Sequence, residues 1–214
     1  MGYKTWANEE VLASADVNNL LMKQTVIVCT SGTRPGSPPE GMLIYETDTD
    51  TYRGYDGSAW QEIFVLNPPR AEVTRSSTQS IPDSVQTTLV WQTANYNYRA
   101  MWNSVTNPSR LTIPAGMGGL YRFNTTVEFD HDPDPQSGTG TRQVALMKNG
   151  AIVGRLITAN AGTGQAARVF YEREIVAAAG DYFEVAVYQN SGTAIVINVV
   201  QTTPFFQARR VGPA

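Results

Sequence analysis

From Tyr182 to Gln189 the side chains alternate in kind, with Phe183, Val185 and Val187 on one face and Tyr182, Glu184, Ala186 and Tyr188 on the other. Period-2 patterning rich in aromatic and β-branched residues marks a strand in a sheet whose two faces differ. Ile175-Val-Ala-Ala-Ala-Gly-Asp181 runs into it as the end of one strand and a tight corner. Gly180 supplies the positive φ that a corner needs, and Asp181 accepts hydrogen bonds from nearby backbone N–H groups.

The same signature recurs through the second half of the chain. In Leu120–Asp130, Tyr121, Phe123, Val127 and Phe129 alternate with Arg122, Asn124, Thr126 and Glu128. Gln143–Lys148 and Ala151–Ile157 flank Asn149-Gly150, a strong hairpin signal. Further strands are expected at Leu89–Trp91, Arg110–Pro114, Ala167–Val176, Ile195–Gln201 and Phe205–Val211, with a turn at Gly116-Met-Gly-Gly119. Short strands at turn-punctuated spacing, with no helical period of useful length between them, predict an antiparallel jelly-roll β-sandwich over 88–214. The polar, proline-punctuated run 67–87 reads as a connector, with a domain boundary near residue 70.

Residues 1–66 form a separate N-terminal module, and residues 1–70 carry five Lys/Arg against nine Asp/Glu. Ser14–Gln24 reads as a short helix, capped by Ser14, with Asp16 in its first turn and Lys23 in its last. Its stripe Val17, Leu20, Leu21, Gln24, together with Trp6, is the expected docking surface. A helix this short needs a partner, either its own neighbouring module or another subunit. Val26–Cys29 and then Met42–Glu46, Thr51–Tyr55 and Ala59–Ile63, joined by Asp-rich and Asp-Gly turns, predict a short strand followed by a β-meander.

Glu40-Gly-Met-Leu-Ile-Tyr-Glu-Thr-Asp-Thr-Asp50, followed by Tyr55-Asp-Gly-Ser-Ala-Trp60, resembles a short module of tailed-phage virion proteins, especially fibre-like ones. Val11–Gln24 resembles the leader often found before that module in phages of actinobacteria. A second resemblance covers about 85–212. The Ile113-Pro…Leu120-Tyr-Arg-Phe strand, Leu146-Met-Lys-Asn-Gly150, Ala179-Gly-Asp-Tyr-Phe-Glu-Val185 and a final Phe205-Phe strand resemble the jelly roll of the tumour-necrosis-factor and complement globular-head superfamily. That last strand departs from the superfamily's apolar finish, ending Gln207-Ala-Arg-Arg-Val-Gly212. The resemblance implies a homotrimer. With the first, it implies a virion-surface protein whose partners are itself and other virion proteins such as major capsid or tail proteins.

Chemistry is scarce. A single histidine, His131, limits acid–base catalysis, and Gly-x-Ser-x-Gly is absent. Cys29 is the one cysteine, so no intrachain disulfide forms and an inert structural thiol is expected. Asp130, His131, Asp132 and Asp134 form an acidic loop with metal-ligand chemistry, although such loops at sandwich edges are usually solvated tips. Asp48-Thr-Asp-Thr-Tyr-Arg53 begins like a calcium loop, but Arg53 stands where that loop needs glycine. Glu172 and Glu174 share one strand face, where pairing with arginines across the sheet is expected over a catalytic role. The expectation is therefore no enzyme and no cofactor.

A net charge of −3 argues against nucleic-acid binding, and no apolar run approaches a membrane span. The N-terminus lacks an apolar signal region, so synthesis in the host cytoplasm and residence on the virion surface are expected. Trp91, Tyr96, Tyr98 and Trp102 crowd one region beside amides and arginines. They read either as core and trimer-seam packing or as a stacking surface for host glycan, and Tyr182 and Tyr188 are further candidates for trimer or ligand contact. Two roles remain open: a capsid decoration protein or head fibre, and a tail fibre or minor tail component. The alternative is a host-receptor or glycan-binding adhesin.

Overall fold

A computed structural model describes residues 11, 13–14, 26–130, 140–158, 166–200 and 203–214. The expected helix after Ser14, with Trp6, Val17, Leu20 and Leu21, lies outside them, as do His131, Asp132 and Asp134. Two compact units divide the chain, 1–67 and 68–214.

In the first unit, β1 (Ile27–Cys29), β2 (Leu43–Glu46), β3 (Thr51–Tyr55) and β4 (Trp60–Val65) form one sheet in that order. β2, β3 and β4 are the expected antiparallel meander, while β1 pairs parallel to β2 with Ile27 opposite Ile44. A parallel pair needs a long crossover, and the Pro/Gly loop 30–42 supplies it. Among the described residues few apolar side chains are buried here, Met42 and Ile44 foremost, and the carboxylate of Glu46 is buried with them. Glu46 is fully buried and accepts hydrogen bonds from Arg34 Nε, from Arg53 Nε at 3.0 Å and from Thr49 Oγ1 at 2.9 Å. Burial pushes its pKa up, but these donors outweigh burial and hold it below the usual carboxylate range. Tyr45, Tyr52 and Phe64 stack in series over the sheet, centroids 4.8 and 4.6 Å apart.

The second unit is a two-sheet antiparallel sandwich. One sheet, counted over the described residues, runs β6 (Gln79–Ile81), β15 (Ile195–Ile197), β10 (Gly119–Phe129), β16 (Phe205–Gly212), β5 (Arg70–Thr74), β8 (Thr93–Tyr98), with β13 (Ala167–Ala177) along the other side of β10. The facing sheet runs β12 (Ala151–Thr158), β11 (Arg142–Lys148), β14 (Tyr182–Gln189), whose free side takes β7 (Thr87–Thr88) and β9 (Arg110–Thr112) in succession.

The connector expected over 67–87 is thus corrected. Ala71 and Val73 are fully buried on β5, which lies inside the sheet between β16 and β8, and β6 pairs with β15. Five residues with two apolar positions carry too little periodicity to be distinguished from a polar loop until their partners are known. Leu89–Trp91 is not a strand, although Leu89 and Trp91 are both buried.

The inward faces of the two sheets make the core. Tyr121, Phe123, Val127 and Phe129 of β10 are fully buried, as are Phe183 and Val185 of β14, with Val187 at 1%. Phe123 and Phe183 meet across the sandwich at 4.0 Å between centroids, with Phe206 beside Phe123 at 6.2 Å. Each such pair adds about 0.5–1.5 kcal/mol beyond the area it buries. Gly119 (φ +151°) opens β10 at a point where a Cβ would strike the Gly212 carbonyl and the Arg210 guanidinium, so only glycine fits.

The two turns marked by the sequence meet in space. Asn149 (φ 52°) and Gly150 (φ 81°) form the primed turn of the β11–β12 hairpin. Asn149 Nδ2 donates to Asp181 Oδ1 at 2.7 Å, and its Oδ1 accepts from the Tyr182 N–H at 2.9 Å. Asp181 Oδ2 accepts from the Ala178 N–H at 2.7 Å and pairs with Lys148 Nζ at 2.8 Å. The corner that launches β14 is therefore fastened to the hairpin that launches β12.

Candidate functional site

The most structured polar surface of the second unit is the outer face of the larger sheet, where β13, β10, β16, β5 and β8 lie side by side. Directly opposed residues of antiparallel strands share a face, so the pairing registers arrange this surface in rows. One row runs Glu174, Arg122, Arg209, Arg70, Tyr98, and the next Glu172, Asn124, Gln207, Glu72, Tyr96. Beyond the second row lie Phe170, Thr126, Phe205 and Thr74; beyond the first lie Val176 and Leu120, with Val211 at the β16 bulge. Two polar rows are flanked by Phe170 and Phe205 among threonines on one side and by Val176, Leu120 and Val211 on the other, and Phe170 and Val176 are about half exposed, at 53% and 55%.

Within the first row the three arginines are held differently. Arg122 donates through Nε and Nη2 to Glu174 Oε1, at 3.0 and 2.7 Å. That hydrogen bonding, with the charges of Glu174 and Glu172, raises the guanidinium pKa above its ordinary value. Arg70 lies over the Tyr98 ring, 4.0 Å from its centroid. The Arg209 side chain, between them, makes no ion pair or hydrogen bond with any described residue. In the second row Gln207 Nε2 donates to Tyr96 Oη and to Glu72 Oε2 (3.2 Å), while Asn95 Nδ2 donates to Glu72 Oε1 at 2.6 Å. A shallow hollow of about 460 Å³ opens among Arg70, Tyr96, Arg122, Glu172, Gln207 and Arg209.

The residues singled out by the sequence separate into outward-facing and inward-facing positions. Tyr96 and Tyr98 are on this outer face. Trp91 is 1% exposed and stacks on Phe206 at 6.0 Å, so it presents no surface to ligand or subunit and that candidacy is corrected. Trp102 packs half-buried on the core, its indole N–H bonded to the Pro108 carbonyl at 3.1 Å. Tyr182 is covered by the Arg110 guanidinium at 4.3 Å. Tyr188 lines a second hollow of about 480 Å³ on the opposite sheet, with Gln86, Thr141, Gln143, Arg155 and Asn190. Asp130 is half-buried at the end of β10, where its N–H bonds the Val196 carbonyl at 2.9 Å. Burial first, then the Glu46 and Asp48 carboxylates, raise the Cys29 pKa against the opposing pull of Arg34, which leaves a protonated thiol of low nucleophilicity. Arg209 was visible only as a departure from an apolar ending, because its isolation depends on which strands flank β16.

No family model matches this sequence, and no curated protein does. The globular domain of zebrafish complement 1qA is similar over 68% of this chain and 99% of its own length, at 10% identity and a TM-score of 0.47. Murine APRIL is similar over 67% of this chain and 99% of its own, at 11% identity and a TM-score of 0.51. The fold is the tumour-necrosis-factor-like jelly roll. At such identity the likeness fixes the arrangement of strands and nothing of the surface chemistry.

Proposed function

We propose that this chain is a non-catalytic structural protein of a phage virion, a homotrimer whose residues 1–67 attach it to the particle and whose jelly roll is displayed outward. The observation that carries this reading is the union of two separately compact units in one chain. The sequence of one resembles a phage fibre-type meander, and the other is a TNF-like jelly roll. The jelly roll leaves a broad mixed polar and apolar sheet face uncovered, as a self-associating subunit must. The buried Glu46 is committed to a structural knot, Glu174 to Arg122, and Cys29 is held as a thiol, which leaves catalysis little to work with.

Two measurements test it. Light scattering of the intact chain should give about 70 kDa, three times its 23.4 kDa. Antibody raised against residues 68–214 should decorate phage particles by electron microscopy; label on the head favours a decoration protein and label on the tail a fibre component. A monomer, or particles without label, overturns the reading.

The Tyr188 hollow favours a second reading, a glycan-binding adhesin. Amides, a hydroxyl, a guanidinium and an aromatic ring gathered on an open sheet suit a polar, ring-shaped ligand. Host-cell binding that saturates and is lost in Tyr188→Ala would support it.

A further inference from the structure

The polar groups around Tyr188 are held in place from beneath but do not bond one another. Gln143 of β11 stands directly opposite Tyr188 of β14 on the outer face of the smaller sheet. Just past the strand ends the Thr141 N–H donates to Asn190 Oδ1 at 2.6 Å. In the other direction along the same face, Arg155 of β12 is paired with Ala145 of β11. The frame under these side chains is fixed by Gln189, which is fully buried and paired with Arg142. Its Nε2 donates to the Ile81 carbonyl at 3.1 Å and to the Thr193 carbonyl at 2.7 Å, and its own carbonyl accepts the Ser84 N–H at 2.8 Å. One residue thereby ties together the three segments, 81–86, 141–143 and 188–193, that carry most of the hollow. A site held this way before its ligand arrives loses little entropy on binding.

The lining side chains have most of their bonding capacity unspent. The Gln143 amide, the Tyr188 and Thr141 hydroxyls, Asn190 Nδ2 and the Arg155 guanidinium have no partner among the described residues. Gln86 Nε2 meets only the Met147 sulfur, at 3.6 Å, and its Oε1 is open. Arg155 is the one charged side chain in the lining. Asp83, beside Ser84, has both oxygens engaged, Oδ1 by the Gly192 N–H at 2.7 Å and Oδ2 by the Ser84 hydroxyl at 2.9 Å. The hollow therefore offers a ring face, amides and hydroxyls, and an unneutralised cation. Amides and hydroxyls suit the hydroxyls of a sugar, an aromatic ring packs on its C–H face, and a guanidinium pairs with carboxylate or phosphate. A cationic ligand would meet Arg155 and no lining carboxylate. The volume of about 480 Å³ suits a small ligand, whose sites span about 300–1,000 Å³. Because this face belongs to the smaller sheet, self-association through the larger one leaves it open.

We propose that the Tyr188 hollow binds an anionic saccharide, a sugar bearing a carboxylate or a phosphate, with the Tyr188 ring as its platform and Arg155 selecting the charge. This rests on the adhesin reading, and the experiment separates the two. Ligand-observed NMR titrates the full chain with methyl glucuronide, glucose 6-phosphate, methyl glucoside and inorganic phosphate, for wild type, Arg155→Gln and Tyr188→Ala. Circular dichroism establishes that each is folded, and saturable host-cell binding is measured on the same proteins. One anionic sugar should bind about tenfold more tightly than methyl glucoside, and which one it is tells carboxylate from phosphate. Arg155→Gln should bring that sugar down to the level of methyl glucoside, and Tyr188→Ala should weaken every sugar. If Tyr188→Ala fails to fold, Gln143→Ala replaces it, with the same direction and a smaller shift. Methyl glucoside bound as tightly as the anionic sugars, or a preference unchanged in Arg155→Gln, overturns the selection of charge. Inorganic phosphate bound as tightly as the sugars overturns the saccharide. Host-cell binding lost in Tyr188→Ala with none of these sugars bound overturns the inference and leaves the adhesin standing; neither cells nor sugars bound overturns both.

Discussion

Replacing Asp181 by alanine tests whether the corner before β14 is held by its side chain or only by backbone geometry. The substitution removes the acceptor for the Ala178 N–H and the Asn149 Nδ2 bond, both 2.7 Å, and the 2.8 Å ion pair with Lys148. The hydrogen-bonded groups are solvent-exposed, so water replaces part of what is lost, and they contribute about 1 kcal/mol. The ion pair is partly shielded, its side chains 27% and 14% exposed, and adds about 1 kcal/mol. A total of about 2 kcal/mol lowers the melting temperature of a unit this size by about 4–8 °C. Calorimetry at equal chain concentration measures it, since the melting of an oligomer depends on concentration.

The pH dependence supplies the stricter check. Burial pushes the Asp181 pKa up, but Lys148, Asn149 and the Ala178 N–H more than offset it and hold the carboxyl below its ordinary value. A group with a depressed folded pKa contributes stability above its unfolded pKa of about 3.9 and loses it as pH falls through the folded value. The gap between wild type and Asp181→Ala should therefore be full at neutral pH and close on acidification. A neutral-pH drop below about 1 °C, or a gap unchanged in acid, would refute the argument.

Glu46→Ala leaves the Arg34 and Arg53 guanidiniums facing an empty buried site. It should cost about 3 kcal/mol, enough to unfold residues 26–67 while 68–214 stays folded, as hydrogen exchange resolved by segment would show. Because the folded Glu46 pKa is also depressed, wild-type protection of that unit should likewise be present at neutral pH and lost in acid. Trp91→Ala should destabilise the jelly roll by about 3–5 kcal/mol in denaturant titration, and Tyr98→Ala, exposed on the outer face, by under about 1 kcal/mol. Equal costs for the two would contradict the assignment of Trp91 to the core.

The candidate site was legible only in fragments. The sequence marks Tyr96, Tyr98, Glu172 and Glu174 and predicts pairing of the acids with arginines across strands. That the arginine would be Arg122, with Arg209 and Arg70 in line beyond it, depends on β10 lying between β13 and β16, strands far apart in the chain. Trp91 and Tyr98 looked alike as aromatic residues in a polar region. The first turns inward because Leu89 and Trp91 join the core cluster from a segment that is not a strand, and local pattern carries no signal for that. The helix expected after Ser14 and residues 131–134 of the acidic loop lie outside the described residues.

Alternation and turn residues by themselves determined the mostly β class, the inward sets of β10 and β14, the Asn149-Gly150 hairpin and the corner at Gly180-Asp181. These are local: they follow from the two-residue period of an extended chain and from the few residues that tolerate positive φ. Tertiary structure alone decided that β5 belongs inside the larger sheet, that Asp181 and Asn149 lock two turns together, and that an acidic edge and an arginine row occupy the same levels. Each of those results requires strands distant in sequence to be placed side by side. Pairing register across such distances arises from burying a shared core, and no window of sequence contains it.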